Sequence, residues 1–218
     1  MVTILSSVKG NPIQEVKMKR VFSICAVFAL LCALALSVSA AGISHTVVKG
    51  DTMWKLAVKY QVGTSEIIQA NPQITNPNLI YPGQILTIPQ LDSKVTEFER
   101  EVIRLVNAER AKHGLPALKE NWELSRVARY KSQDMVDHRY FSHTSPTYGS
   151  PFQMIRAFGL SFRTAGENIA YGQRTPQAVV NAWMNSSGHR ANILNASYTQ
   201  IGVGYVAGGN YWTQMFIG

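Results

Sequence analysis

Two histidines and one glutamate carry the chemistry this sequence can offer: His143 in FSHTSP, Glu167 in AGEN and His189 in NSSGHRANIL. All three fall between Phe141 and Leu194, among glycines, serines, asparagines and prolines that suit loops between helical segments. Two neutral imidazoles can hold a divalent transition metal, zinc being the expected one, and leave a position open for water. In that arrangement His143 and His189 are the ligands, and Glu167 stands behind them, fixing a ring tautomer. Without metal the same trio could move a proton, since an imidazole beside a buried carboxylate titrates near neutrality. A plainer reading has Glu167 and Asn168 bonding loop amides while the histidines brace the loop. If catalysis occurs, these three residues carry it. Ser142, Ser145, Ser186 and Ser187 lie nearby, but none stands in a G-x-S-x-G elbow, so the residues favour binding over catalysis.

Helices must position these residues. Phe98, Val102, Leu105 and Val106 recur three and four apart, giving a helix from near Val95 that ends at His113-Gly114. Asn121 caps a second helix, Trp122 to about Asp137, whose inner face reads Leu124, Val127, Ala128, Lys131 and Met135. Ser150-Pro151 and Thr175-Pro176 are cap-plus-proline pairs that start helices running to about Phe158 and Met184. Ile201–Val206 and Tyr211–Ile217 read as a β-hairpin across Ala207–Asn210. His138 and His113 read as residues at helix C-termini, and His45 as an exposed strand start.

The front of the chain is of another kind. Lys17, Lys19 and Arg20 precede an apolar run from Val21 to Val38, closed by Ser39-Ala40-Ala41, the pattern of a secretory signal. Met18 is the expected start, with an upstream extension before it, and residues 1–41 are expected to be removed, leaving no stable membrane insertion. Cys25 and Cys32 fall within this segment, so the mature chain has no disulfide and no thiolate metal site. Of the net charge of +8, the first 40 residues hold four Lys/Arg and one Glu, which leaves 17 basic against 12 acidic residues. A balance of +5 suits an anionic wall, and no interleaving of basic and aromatic residues points to nucleic acid.

Residues 42–90 form a small unit of order βααβ, with a strand at His45–Val48, helices at Met53–Tyr60 and up to Ala70, and a closing strand at Gln84–Ile88. HTVVKGDTMWKLAVKY, QVGTSEIIQANP and LIYPGQILTIP together resemble a LysM domain. The resemblance implies binding of N-acetylglucosamine-containing glycans, usually peptidoglycan. The groove it implies involves Gly50, Asp51, Thr52, Met53, Asn78, Leu79, Ile80 and Tyr81, although Asp51 could equally brace its own turn.

Residues 91–218 carry a second resemblance. LVNAERAKHGLPAL, FSHTSPTYGSPF, AGENIAYGQRTPQAVVNAWMNSSGHRANILN and IGVGYVAGGNYWTQMF are similar to bacterial members of the CAP superfamily of cysteine-rich secretory, antigen 5 and pathogenesis-related 1 proteins. The implied fold is α+β, an α-β-α sandwich following the LysM module, with a cavity that many members line with two histidines and two acids. His143, Glu167 and His189 match three of those places. The fourth departs from the pattern: three residues after Trp183 stands Ser186, where many members carry glutamate. The resulting expectation is a bacterial exported protein that binds peptidoglycan and presents a His/Glu/His cavity to ligand or metal, at the cell wall or in a spore envelope. The alternatives are a metal-assisted hydrolase of wall peptide or glycan, and a structural protein of a spore coat.

Overall fold

The computed structural model describes residues 42–218. The expected export signal, the Met18 start and both cysteines lie outside the described residues.

The first part is a two-stranded sheet with two helices. Strand β1 (Ile43–Thr46) pairs antiparallel with β2 (Ile85–Ile88), Ile43 opposite Ile88, and α1 (Met53–Tyr60) and α2 (Thr64–Ala70) lie between them in sequence. Thr52 caps α1, its hydroxyl accepting from the Lys55 amide at 3.1 Å, and Gln61 ends it in the left-handed conformation. Gly63 is the cap residue of α2. Val47, Leu56, Ile67, Leu86 and Ile88 form the core. Fully buried Asn71 joins α2 to β2, donating to the carbonyls of Ile67 and Thr87 and accepting from the Thr87 amide.

His45 departs from expectation. It is 8% exposed, and its ring is held between the Tyr60 hydroxyl and the Asp51 carboxylate, each at 2.9 Å. Alternation along β1 turns it inward, where those two partners satisfy both ring nitrogens.

The larger part runs α3 (Ser93–Lys112), β3 (Lys119–Glu120), α4 (Trp122–Asp137), α5 (Pro151–Ala157), β4 (Ala165–Tyr171), α6 (Pro176–Asn185), α7 (Ser187–Ile193), β5 (Gln200–Val206) and β6 (Tyr211–Ile217). The sheet order is β3-β5-β6-β4, antiparallel except for the short β3–β5 pairing. Helix α3 begins two residues earlier than the periodicity suggests, because Asp92 accepts from the Lys94 amide and caps it. The caps at Asn121, Ser150 and Thr175 form as read.

Period-two alternation divides the sheet between two layers. Met215 and Ile217 pack with Leu124, Val127 and Met154 from α4 and α5. Trp212 and Phe216 face the other way, toward Val102 and Val106 of α3 and Val179 and Trp183 of α6. The result is the α-β-α sandwich. Gly202 and Gly204 let α4 lie directly on β5, for a Cβ at either would strike helix backbone at Leu124–Ser125 or Ala128–Arg129.

Strand β4 differs most from the sequence reading, which leaves AGEN in a loop. Gly166, Glu167 and Asn168 have low strand propensity, but their pairing with Phe216, Met215 and Gln214 of β6 overrides it.

Arg126 of α4 ties the two parts together. Its Nε and Nη2 meet the two carboxylate oxygens of Glu66 at 2.6 and 2.9 Å, and Nη2 also reaches Ser65 Oγ at 2.8 Å. Tyr130 donates to Glu66 as well, and the guanidinium lies 4.9 Å from the Phe158 ring centroid. Among the described residues no helix is long and apolar enough to cross a membrane.

Candidate functional site

Glu167 belongs to β4, so the sheet itself sets its direction. Its side chain is 2% exposed, and Oε1 lies 2.7 Å from Nδ1 of His143, whose side chain is 54% exposed. The second oxygen, Oε2, is buried and has no hydrogen-bond partner among the described residues. Burial pushes the carboxyl pKa up, against the hydrogen bond from His143 and the charge of Lys131. With Glu167 ionised, His143 donates from Nδ1, and in the neutral ring Nε2 is then the acceptor.

His143 sits on a loop that α4 pins from beneath. Lys131 is 1% exposed, and its ammonium donates to the backbone carbonyls of Ser142 and His143 at 2.7 and 3.1 Å and to the Tyr140 hydroxyl. One turn on, buried Asp134 accepts from Thr147 Oγ1 at 2.6 Å, from Ser145 Oγ at 2.7 Å and from the Tyr140 hydroxyl. Burial acts to raise the Asp134 pKa, but the hydrogen bonds from Thr147, Tyr140 and Ser145 outweigh it and hold the carboxyl below its ordinary range. Lys131 is visible in the sequence as a charge on an apolar helix face. Asp134 is not, because its partners lie up to thirteen residues away in an irregular loop.

His189 comes from α7 rather than from a loop. Fully buried Asn168 donates to its backbone carbonyl at 3.1 Å and to Gln214 Oε1 at 3.0 Å. Asn192, on the same helix as His189, donates to the Glu167 carbonyl and to Asn168 Oδ1. The indole of Trp183 reaches the Ile169 carbonyl at 3.4 Å, so side chains from α6 and α7 cover the outer edge of β4. His189 has its pKa lowered, first by burial and then by the charge of nearby His143.

The other expected residues are placed as follows. Ser186 is the junction between α6 and α7, the C-cap of one and the N-cap of the other. Arg190 donates Nη1 to the Met184 carbonyl, which ties it to the end of α6. In the small module Gly50 is exposed with φ of 94°, Thr52 caps α1, and Leu79 and Tyr81 are 50% and 55% exposed. Asn78 is exposed too, whereas Ile80 packs partly against the module's core. Asp51 accepts from the Val48 amide at 2.9 Å and from His45, which makes it a brace of its turn. Met53 lies inside at 4% exposed, because the first turn of α1 directs it into the core.

Among the described residues no three His, Cys, Asp or Glu side chains converge as a ligand set for a metal. An ion here would be held by the imidazoles of His143 and His189 alone. The Nδ1 bond to Glu167 is the arrangement that favours metal at the opposite nitrogen.

Comparison with known proteins supplies two family matches. The LysM domain model matches residues 45–89, and the cysteine-rich secretory protein family (CAP) model matches residues 103–216. Over 132 residues the chain is 59% identical to the uncharacterized protein YkwD of Bacillus subtilis (strain 168), covering 61% of this chain and 51% of that protein. Over 45 residues it is 47% identical to the spore coat assembly protein ExsA of Bacillus cereus, covering 21% of this chain and 7% of that protein. A solved extracellular protein containing a SCP domain, from Bacillus anthracis str. Ames, is similar with a TM-score of 0.55 and 35% identity, over 62% of this chain and 47% of that chain. The chain therefore spans about half, or less, of the length of these relatives.

Proposed function

Since the chain belongs to the cysteine-rich secretory protein (CAP) family and carries a LysM domain ahead of the family region, we propose that it is a secreted, cell-wall-associated protein. In this reading the LysM module holds an N-acetylglucosamine-containing glycan, peptidoglycan foremost, and the larger domain presents His143, Glu167 and His189 to a ligand or a zinc ion at that surface. The observation that carries it is the exposure of Leu79 and Tyr81, 50% and 55%, beside a closed core, on a module that also leaves Trp54, Val48 and Ile85 exposed. Apolar groups left out of such a core suit the flat faces of sugar rings. The extracellular character of the Bacillus anthracis relative supports the location, and the spore coat assembly role of the Bacillus cereus relative supports extending it to a spore envelope.

At the larger site the chain's own groups define what can bind. Glu167 fixes the His143 ring, and Nε2 of that ring accepts a donor from the ligand or binds a metal. Zinc bound at the two imidazoles would supply Lewis-acid polarisation of a ligand oxygen. Binding rather than hydrolysis is proposed because Ser186, spent on a helix junction, supplies no second carboxylate.

Pull-down on insoluble peptidoglycan tests the first part. The full chain should sediment with the polymer, and a Leu79→Asp/Tyr81→Ala variant should stay in the supernatant. Equal retention of a folded variant would move adhesion away from the LysM module.

A further inference from the structure

Trp183, Trp212 and Phe216 of the larger domain are buried, each 1% exposed or less. Three stand apart. Phe141 and Tyr171 are 45% and 57% exposed, and with Tyr211 they form one cluster at the surface. Phe141 meets Tyr171 edge-on with centroids 4.8 Å apart, and Tyr171 stacks on Tyr211 at 5.7 Å with 24° between planes.

Their position links them to the polar site. Alternation along β4 puts Tyr171 on the sheet face that carries Glu167, four residues and about 13 Å along the strand. Tyr211 is its cross-strand partner on β6. Phe141 stands two residues before His143, on the loop whose carbonyls Lys131 holds. The exposed rings and the His143–Glu167 pair are therefore parts of one continuous strip.

We propose that this strip is a second saccharide-binding site, in which Phe141, Tyr171 and Tyr211 stack against pyranose ring faces while His143 takes a hydroxyl or acetamide of the neighbouring sugar. The chemistry is matched on both sides. A pyranose offers a face of C–H groups bordered by hydroxyls, and the cluster offers apolar rings bordered by two phenol hydroxyls. An apolar peptide would use the rings but leave the His143 ring without a polar partner; an oligosaccharide reaching along the strip supplies one. The proposal rests on the reading of the chain as glycan-binding, and it names the ligand class of the site that reading left open.

The experiment is a titration of the full chain with chitotetraose, following the aromatic ring resonances of Phe141, Tyr171 and Tyr211 by NMR. Three proteins are compared: the wild type, the Leu79→Asp/Tyr81→Ala variant, and a Phe141→Ala/Tyr171→Ala variant, which removes only exposed rings. The wild-type ring resonances should shift saturably, and the same shifts should persist in the Leu79/Tyr81 variant. The Phe141/Tyr171 variant should lose the Tyr211 shift while keeping the response of Tyr81. If Tyr81 responds and the three rings do not, this proposal is overturned and the LysM reading stands. If nothing responds to sugar, both fall. Sedimentation showing a dimer that the Phe141/Tyr171 variant dissolves, without sugar-induced ring shifts, would assign the cluster to a second copy of the chain and overturn the proposal as well.

Discussion

His143 and Glu167 share a 2.7 Å hydrogen bond across the protein surface: one side chain is 54% exposed and the other 2%. The buried partner sets the orientation of the ring, and the exposed one meets whatever arrives. Positioning and contact are thus separable, so the carboxylate's charge can be removed without removing its shape.

Replacing Glu167 with Gln tests this. The amide oxygen can still accept from His143 Nδ1, so the melting temperature should stay within a few degrees of wild type. Zinc affinity at the two imidazoles should fall by about ten- to a hundredfold, the usual cost of losing a partner that raises ligand basicity. Calorimetric titration with zinc on both proteins gives the answer. A collapse of stability with unchanged zinc binding would make Glu167 a structural brace.

Lys131 should behave in the opposite way. Lys131→Met keeps the volume of the stem but strands the carbonyls of Ser142 and His143. Each buried acceptor left unsatisfied costs about 1 to 3 kcal/mol, so urea unfolding should show a loss of at least about 2 kcal/mol. Amide exchange in the loop around His143 should speed up more than exchange in the sheet. Uniform acceleration would show that the loop is not anchored by this residue.

The Arg126–Glu66 bridge predicts a pH dependence. Burial acts to raise the Glu66 pKa, but hydrogen bonds from Arg126 and Ser65 outweigh it, so the folded value lies below the ordinary one. A depressed carboxyl contributes stability that is complete above the unfolded range, about pH 4 to 5, and is lost as pH falls through the folded value. Melting temperatures of the wild type and Glu66→Gln should therefore differ at neutral pH and converge in acid. Parallel curves throughout would show that the bridge adds nothing to stability.

Local signals made the helices legible. Asn121, Ser150-Pro151 and Thr175-Pro176 act on their own next turn, and the helices begin where these residues stand. Strand β4 was hidden because AGEN has no propensity of its own and extends only when β6, over forty residues later, pairs with it. Glu167 and His189 could be singled out by motif, but their settings could not: one is held by a strand and the other by a short helix. Met53 was misplaced because a turn that resembles a groove also contains the first residue of a core helix. Arg126 and Glu66 are sixty residues apart, and nothing local to either announces the other.

The covered edge of β4 has a consequence for assembly. Trp183 and Asn192 occupy carbonyls on one side of the sheet, and the opposite side ends in a strand of two residues. At the β4 border a strand from another molecule would meet two carbonyls already bonded to side chains. If this chain is laid down in quantity within a wall or an envelope, copies that meet at the β4 border do so through the side chains of α6 and α7.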